Sequence, residues 1–423
     1  METLKLINYI IAIIFIVCYS YQLIYIPIPW IKKEKPHKAC RNHRYAILIC
    51  ARNEEKVIAH LIDSIKQQTY RSDLIDIFVM ADNCTDNTAA TAKEAGACVY
   101  ERSSKDRVGK GYALDALISH IYRDYNWVGF DAFFIFDADN LLDKNYILEM
   151  NRTFSDGYEI IAGYRNSKNY GDNWISAGYA LWFLRDSIYL NQARMLLGTS
   201  CAVSGTGFLF STNVLNDMGG WPFHLLTEDM EFTVDNVLKG RKIGFCKNAV
   251  LYDEQPVTFR QSWHQRMRWS KGYLQVFGKY GKELLKGMLM PDFSCFDMTM
   301  AVMPAIMLTV TGILVNTILA ISGAIQGEDI LIALQSVGHT LLNAYFLLYF
   351  LGIITTVTEW KSIHTSGLKK ILYTFTFPLF MFTYIPISFS SLFAKAEWKP
   401  IEHNVSITIS DYEKKCGWQK KRT

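Results

Sequence analysis

The run Ala132-Phe133-Phe134-Ile135-Phe136, closed by Asp137-Ala138-Asp139, constrains this chain more than any other stretch. Apolar residues in unbroken succession leave no solvent face, so the run predicts a strand buried on both sides, as in parallel sheets. In open α/β sheets, ligands settle outside the carboxyl ends of strands. Two carboxylates one residue apart at that edge cannot both turn into the core. They make a hard, oxygen-rich corner suited to Mg²⁺ or Mn²⁺, cations that commonly arrive with phosphates. A lone D-x-D also suits a solvated acidic turn, so its surroundings decide.

Those surroundings alternate. Tyr45 to Cys50 is a short apolar run, and Asn53 is placed to cap a helix with Val57, Ile58, Leu61, Ile62 and Ile65 on one face. Leu74 to Met80 predicts a second strand ending at Asp82, Asn87 to Ala95 a helix, and Ala97 to Tyr100 a third strand. Gly109-Lys110-Gly111 opens a helix that runs to about Arg123, just before the Asp137 strand. Strands alternating with helices predict βαβ units and an α/β domain with a mostly parallel, Rossmann-like sheet. Arg52-Asn53-Glu54, Asp82-Asn83 and Asp137-Ala138-Asp139 would then meet at one edge.

Two phosphate-binding rivals fail. A dinucleotide site needs G-x-G-x-x-G after the first strand, where this chain has Ala51-Arg52-Asn53-Glu54-Glu55; Gly109-Lys110-Gly111 lacks the spacing and hydroxyl of a Walker loop. The formal net charge of +4 over 423 residues is too small to suggest nucleic acid. The 9 cysteines form no C-x-x-C pair, which fits reduced thiols in a chain whose bulk faces the cytosol.

The apolar residues are unevenly spread. Leu6 to Trp30 is long enough to span a bilayer, and the bases Lys32, Lys33, Lys35, Lys38, Arg41 and Arg44 that follow it predict an uncleaved anchor with those bases inside. Met298 to Ile321 and Ile330 to Val357 predict two more spans joined by a base-free outside loop, Gly323 to Asp329. Ile371 to Phe393 is a third apolar stretch, interrupted by Pro378 and Pro386. A clean crossing there would put the basic tail outside. Charge bias favours the inside, which needs the stretch to break and re-enter. The expected division is an anchor over 1–30, a cytoplasmic domain over 31–255, interfacial helices over 256–296, membrane helices over 297–395 and a basic tail over 396–423.

Four motifs stand in one order: Ala51-Arg52-Asn53-Glu54 with Asp82, then Asp137-Ala138-Asp139, then Thr227-Glu228-Asp229, then Gln265-Arg266-Met267-Arg268-Trp269. With the flanking spans they resemble a membrane-integrated family 2 glycosyltransferase. That group holds the bacterial cellulose, hyaluronan and poly-N-acetylglucosamine synthases, and its smaller exopolysaccharide members resemble this chain most. The resemblance implies a GT-A-type fold and a UDP-sugar donor. It implies Mg²⁺ or Mn²⁺ at Asp139 and Asp137, and donor contacts from Arg52, Asn53, Glu54, Asp82, Lys110, Asp137, Gln265 and Arg268. Asp229 matches the family's general base, with Glu228 and Arg268 beside it. Ser204, Gly205 and Thr206 match an acceptor-side loop, where a plain turn fits nearly as well.

The residue chemistry agrees with those roles. A metal neutralises a departing diphosphate as a Lewis acid. Lys110 and the guanidinium fork of Arg268 can meet phosphate oxygens. Trp269 can offer a sugar an apolar face, or anchor an interfacial helix. Arg266, one step off the Arg268 face, is expected to tolerate Lys.

The leading functional expectation is an inverting transferase extending a polysaccharide at the cytoplasmic face of the plasma membrane, with accessory export proteins as partners. The alternative is addition of one sugar to a lipid carrier or glycolipid. The third reading, an inactive membrane scaffold, would normally show a lost carboxylate, and none is lost.

Overall fold

The computed structural model describes residues 2–289, 293–302, 311–312, 314–318, 321–322, 330–393, 403 and 405–415. The expected loop Gly323 to Asp329, nearly half of the expected span Met298 to Ile321 and the bases Lys420, Lys421 and Arg422 lie outside the described residues.

Strands β1 (Tyr45–Ala51), β2 (Ile75–Asp82), β3 (Cys98–Arg102), β4 (Ala132–Asp137), β5 (Leu141–Leu142), β6 (Ile160–Ser167), β7 (Phe208–Ser211) and β8 (Ile243–Asp253) make one sheet. Its order is β3-β2-β1-β4-β7-β6-β8-β5. β1 to β4, β6 and β8 run one way, and β5 and β7 run against them. The sheet is thus mixed in pairing, with the parallel half where the apolar runs predicted it.

β1 shows why the chain winds on both faces. Tyr45, Ile47 and Ile49 pack with Ile58, Leu61, Ile62 and Ile65 of the helix Ile58–Lys66. Ala46 and Leu48 pack with Ala113, Leu114 and Leu117 of the helix Lys110–Tyr125 on the other face. Alternate strand residues point to opposite faces, so each of the two helices takes one set. Phe134 and Phe136 are wholly buried in β4, and burial of a Phe stabilises by roughly 1.5–3 kcal/mol. The strand order turns at β1 and β4, where Cys50 pairs with Asp137. A crevice at the carboxyl edge follows from that reversal.

The expected Asn53 cap does not form. The helix starts at Ile58 behind Val57, and Asn53 has φ 59° with its side-chain oxygen accepting from the Thr85 backbone N–H at 2.8 Å. Asn tolerates that left-handed backbone, and its short side chain ties the loops after β1 and β2 together.

Among the described residues, three helical stretches are long and apolar enough to cross a membrane: Tyr9–Ile31, Leu341–Thr358 and Gly367–Phe393. The last divides at Thr383 into helices Gly367–Phe382 and Tyr384–Phe393, so of the two prolines expected to interrupt it Pro386 lies just past a break and Pro378 stands inside the first helix. Pro386 has no N–H for the carbonyl four residues before it. Arg266, fully buried, donates to the Phe380 carbonyl at 3.2 Å and to Thr383 Oγ1 at 2.6 Å, with its guanidinium over the Phe380 and Tyr384 rings. This corrects the expectation that Arg266 tolerates Lys: its guanidinium is fully buried between rings and bonded at the break, and does not face headgroups.

A buried ion pair ties the N-terminal helices to the sheet domain. Arg194 donates two hydrogen bonds to Asp297, at 2.7 and 2.8 Å, and the Tyr21 and Tyr25 hydroxyls each donate to the same carboxylate at 2.8 Å. Removing one partner from such a buried set costs about 3–5 kcal/mol. The segment 405–415 packs back on the sheet domain, with Ile409 and Tyr412 against Leu141 and Tyr252. The segment 405–415 and the sheet domain therefore stand in direct contact.

Candidate active site

Every strand running with β1 ends at one edge, and that edge collects the polar residues. Asp137 closes β4 and Asp139 follows it. The Lys110 ammonium, at the start of its helix, contacts the Asp137 carboxylate and donates to the Gly205 carbonyl at 2.6 Å. Gly111 is required there because a Cβ would lie 2.1 Å from the Phe223 carbonyl oxygen. Asp139 is buried, and its Oδ2 accepts from the Glu254 backbone N–H at 2.7 Å. Burial opposes its ionisation, but the charges of His403 and Lys168 and that N–H hold its pKa below the usual carboxylate range.

The loop 204–207 crosses in front of β4. Thr206 is buried, and its hydroxyl is committed to the Asp137 backbone N–H, at 2.9 Å, and to Asn140. Ser204 offers its carbonyl to Arg165 Nη1 at 2.8 Å. Gly205 has φ 77°, and a Cβ there would sit 3.6 Å from Asp229 Oδ2. The Asp229 carboxylate and the Lys110 ammonium therefore meet around one residue. Glu228 and Asp229 start the helix Glu228–Leu238. Burial raises the pKa of both, and for Glu228 the neighbouring Asp229 charge adds to it. Thr227 does not cap that helix with its side chain; its hydroxyl is buried and unpartnered among the described residues.

Arg268, on the long helix Phe259–Met288, donates to the Leu226 carbonyl at 3.0 Å and lies close enough to Glu228 and Asp229 to favour their charged forms. The Gln265 side-chain oxygen is buried without a partner among the described residues. Trp269 stands apart from this group. Its ring meets Tyr179 and Phe183 edge-on, with centroids at 5.8 and 6.2 Å, and packs with Met381 and Tyr384.

On the outer side of the edge, buried Asp82 pairs with Arg102 at 2.5 Å, and Arg52 is near enough to favour its charge. The Glu54 backbone N–H donates to Thr88 Oγ1 at 2.8 Å, and the Glu54 carboxylate oxygens lie 2.9 and 3.0 Å from His403 Nδ1. Burial works against a charged His403, but Asp139, Glu54 and Glu254 outweigh it and push the pKa up to about 10.

Sequence reasoning missed Arg165, Lys168, Asp253, Glu254 and His403. Arg165 donates to Asp253 at 2.5 Å, and Lys168 donates to the Asp139 carbonyl at 2.6 Å. An acidic pair directly after the run Ala249-Val250-Leu251-Tyr252 was a readable signal for Asp253 and Glu254, the same signal that marked Asp137. His403 had none.

Among the described residues, no group of three or more His, Cys, Asp or Glu side chains could hold a metal ion by itself. A divalent cation carried on a diphosphate needs only one or two carboxylates, so Asp139 and Asp137 suit that role.

The sequence matches the family model described as glycosyltransferase like family 2 over residues 43–272, more than half of the chain. The chain belongs to glycosyltransferase family 2. Among family 2 proteins, it is 26% identical over 240 residues to the beta-monoglucosyldiacylglycerol synthase of Synechocystis, a match covering 55% of this chain and 48% of that protein. It is 24% identical over 233 residues to the poly-beta-1,6-N-acetyl-D-glucosamine synthase of Staphylococcus aureus, covering 54% of each. The chain thus spans about half the length of the curated relatives it matches. A mannosyltransferase of Pyrobaculum calidifontis, solved with GDP-Man and Mn²⁺, superposes with a TM-score of 0.56 at 14% identity, covering 92% of this chain and 99% of that one. The likeness establishes a shared fold, the GT-A type with attached helices.

Proposed function

We propose that this family 2 chain is an inverting glycosyltransferase, moving a sugar from a UDP-sugar to a hydroxyl presented at the cytoplasmic face of the plasma membrane. The observation that carries this reading is the meeting at Gly205 of a carboxylate with raised pKa, Asp229, and the Lys110–Asp137 pair. The acceptor oxygen attacks the anomeric carbon and gives its proton to Asp229. The bond from that carbon to the diphosphate oxygen breaks, and the leaving UDP takes up the electron pair. Lys110 and Arg268 stabilise the charge that develops there. One displacement from the face opposite the leaving group inverts the anomeric centre. A cation at Asp139 and Asp137, when bound with the donor, supplies Lewis-acid neutralisation of the diphosphate.

The likeness to a beta-monoglucosyldiacylglycerol synthase supports a lipid-linked acceptor and single addition over growth of a long glycan. The Trp269 ring meets Tyr179 and Phe183 edge-on and so already has aromatic partners within the protein. Purified protein in lipid vesicles, offered UDP-glucose, UDP-galactose and UDP-N-acetylglucosamine in turn, tests both levels. UDP release with one donor and a single-sugar glycolipid are the expected results. A ladder of long products would restore the polysaccharide reading, and no release with any nucleotide sugar would end the transferase reading.

Arg268→Lys probes the same site. An ammonium cannot hold a diphosphate in two parallel hydrogen bonds, so turnover should fall about tenfold or more, corresponding to roughly 1.5–3 kcal/mol. Membrane insertion, followed by flotation, should stay normal. Unchanged turnover would reduce Arg268 to a support for the Leu226 carbonyl.

A further inference from the structure

His403 and residues 405–415 make a set of polar contacts with the edge that holds the candidate site. The short helix Ile409–Lys415 is fastened by Tyr412, whose hydroxyl donates to the Ser167 carbonyl at 3.1 Å and lies 3.1 Å from His364 Nδ1. Upstream, the Ser406 hydroxyl lies 2.8 Å from His60 Nε2. The Val405 backbone N–H donates to Glu254 Oε2 at 3.0 Å, and His403 meets the Glu54 carboxylate. Glu254 in turn gives its own backbone N–H to Asp139. These residues therefore hold both the loop after β1 and the loop after β8, which flank the aspartates of β4.

The electrostatics say what this does. Glu54 sits near Asp139 and Asp137, and Asp139 and its neighbour Asp253 are buried, with little water to screen like charges. The Glu54 side chain is only 12% exposed. A carboxylate so enclosed stays put only with a partner, and His403 is the partner in ion-pair contact with it. Without it, Glu54 would turn outward. Its backbone accepts from the N–H groups of Val57 and Ile58 and donates to Thr88, so the whole loop after β1 would shift with it.

We propose that His403 and the segment 405–415 form one wall of the donor site, with His403 as a positioning residue that fixes Glu54 and its loop for a nucleoside diphosphate. This rests on the transferase reading. Binding linkage then runs both ways: an ordered segment favours the nucleotide, and bound nucleotide favours the ordered segment.

The test is calorimetric titration of UDP with Mn²⁺ into the full chain in detergent, for the wild type, His403→Ala, Tyr412→Ala and the double variant. Each single change should weaken UDP binding by about tenfold, the size expected for losing one charge-assisted contact. The double variant should be no weaker than the worse single one, because both disable one element. In turnover assays the loss should fall on the donor KM, with kcat at saturating donor little changed. Equal UDP affinity in wild type and His403→Ala overturns the proposal alone, as do losses that multiply in the double variant. A wild-type chain that binds no UDP overturns the transferase reading and takes this proposal with it.

Discussion

Asp229→Asn is expected to lose transfer by a hundredfold or more while still binding UDP, because only removal of the acceptor proton is disabled. The exchange is nearly isosteric. The Asp229 carbonyl keeps its bond from the Thr233 hydroxyl, at 2.9 Å, so the helix survives. Loss of a carboxylate from its first turn costs only about 0.3–1 kcal/mol. Rapid-quench turnover beside UDP calorimetry separates the two effects, and near-normal turnover would make Asp229 a structural residue. The wild-type pH profile adds a check of sign. Burial raises the Asp229 pKa, and the base acts only when ionised. Turnover should therefore fall as pH drops through a midpoint above the usual Asp value of about 3.9.

Asp139→Asn should be as damaging for a different reason. The amide oxygen can still accept from the Glu254 N–H, and the bond from Lys168 goes to the backbone carbonyl, so the local fold should persist by circular dichroism. What goes is the charge that a divalent cation needs. Metal-dependent UDP binding should vanish and turnover drop by about a hundredfold or more, since such a cation contributes several kcal/mol to a developing phosphate charge. Wild-type turnover undiminished by excess chelator would sink the idea.

What the sequence disclosed follows from the range of its signals. β1 and β4 were legible because burial on two faces writes an unbroken apolar run into adjacent residues, and β2 and the edge strand β3 were legible from shorter apolar runs between helical stretches. The sets at Arg52–Glu54, Asp82 and Asp137–Asp139 were legible because they stop those runs. β6 and β8 carry the same device, yet Arg165 and Lys168 follow no acidic stop and went unread. Arg266 was misjudged for a physical reason. A base on an interfacial helix normally faces headgroups, but the break at Thr383 offers acceptors inside the protein. Asn53 showed a limit of local rules: a good capping residue, it is placed otherwise by the loop it stands in.

The contact between Glu54 and His403 joins residues 349 positions apart. A ribosome making this chain releases the β1 loop, the aspartates and the candidate base long before residue 403 exists. In between, the apolar helices must find the bilayer. On the reading proposed for the tail, the nascent domain holds its catalytic residues yet grips nucleotide weakly until insertion is finished and the tail has come back. Maturation of the donor site would thus report that the membrane part is in place. A half-inserted chain would spend little UDP-sugar, and the order of synthesis would serve as a safeguard written into topology.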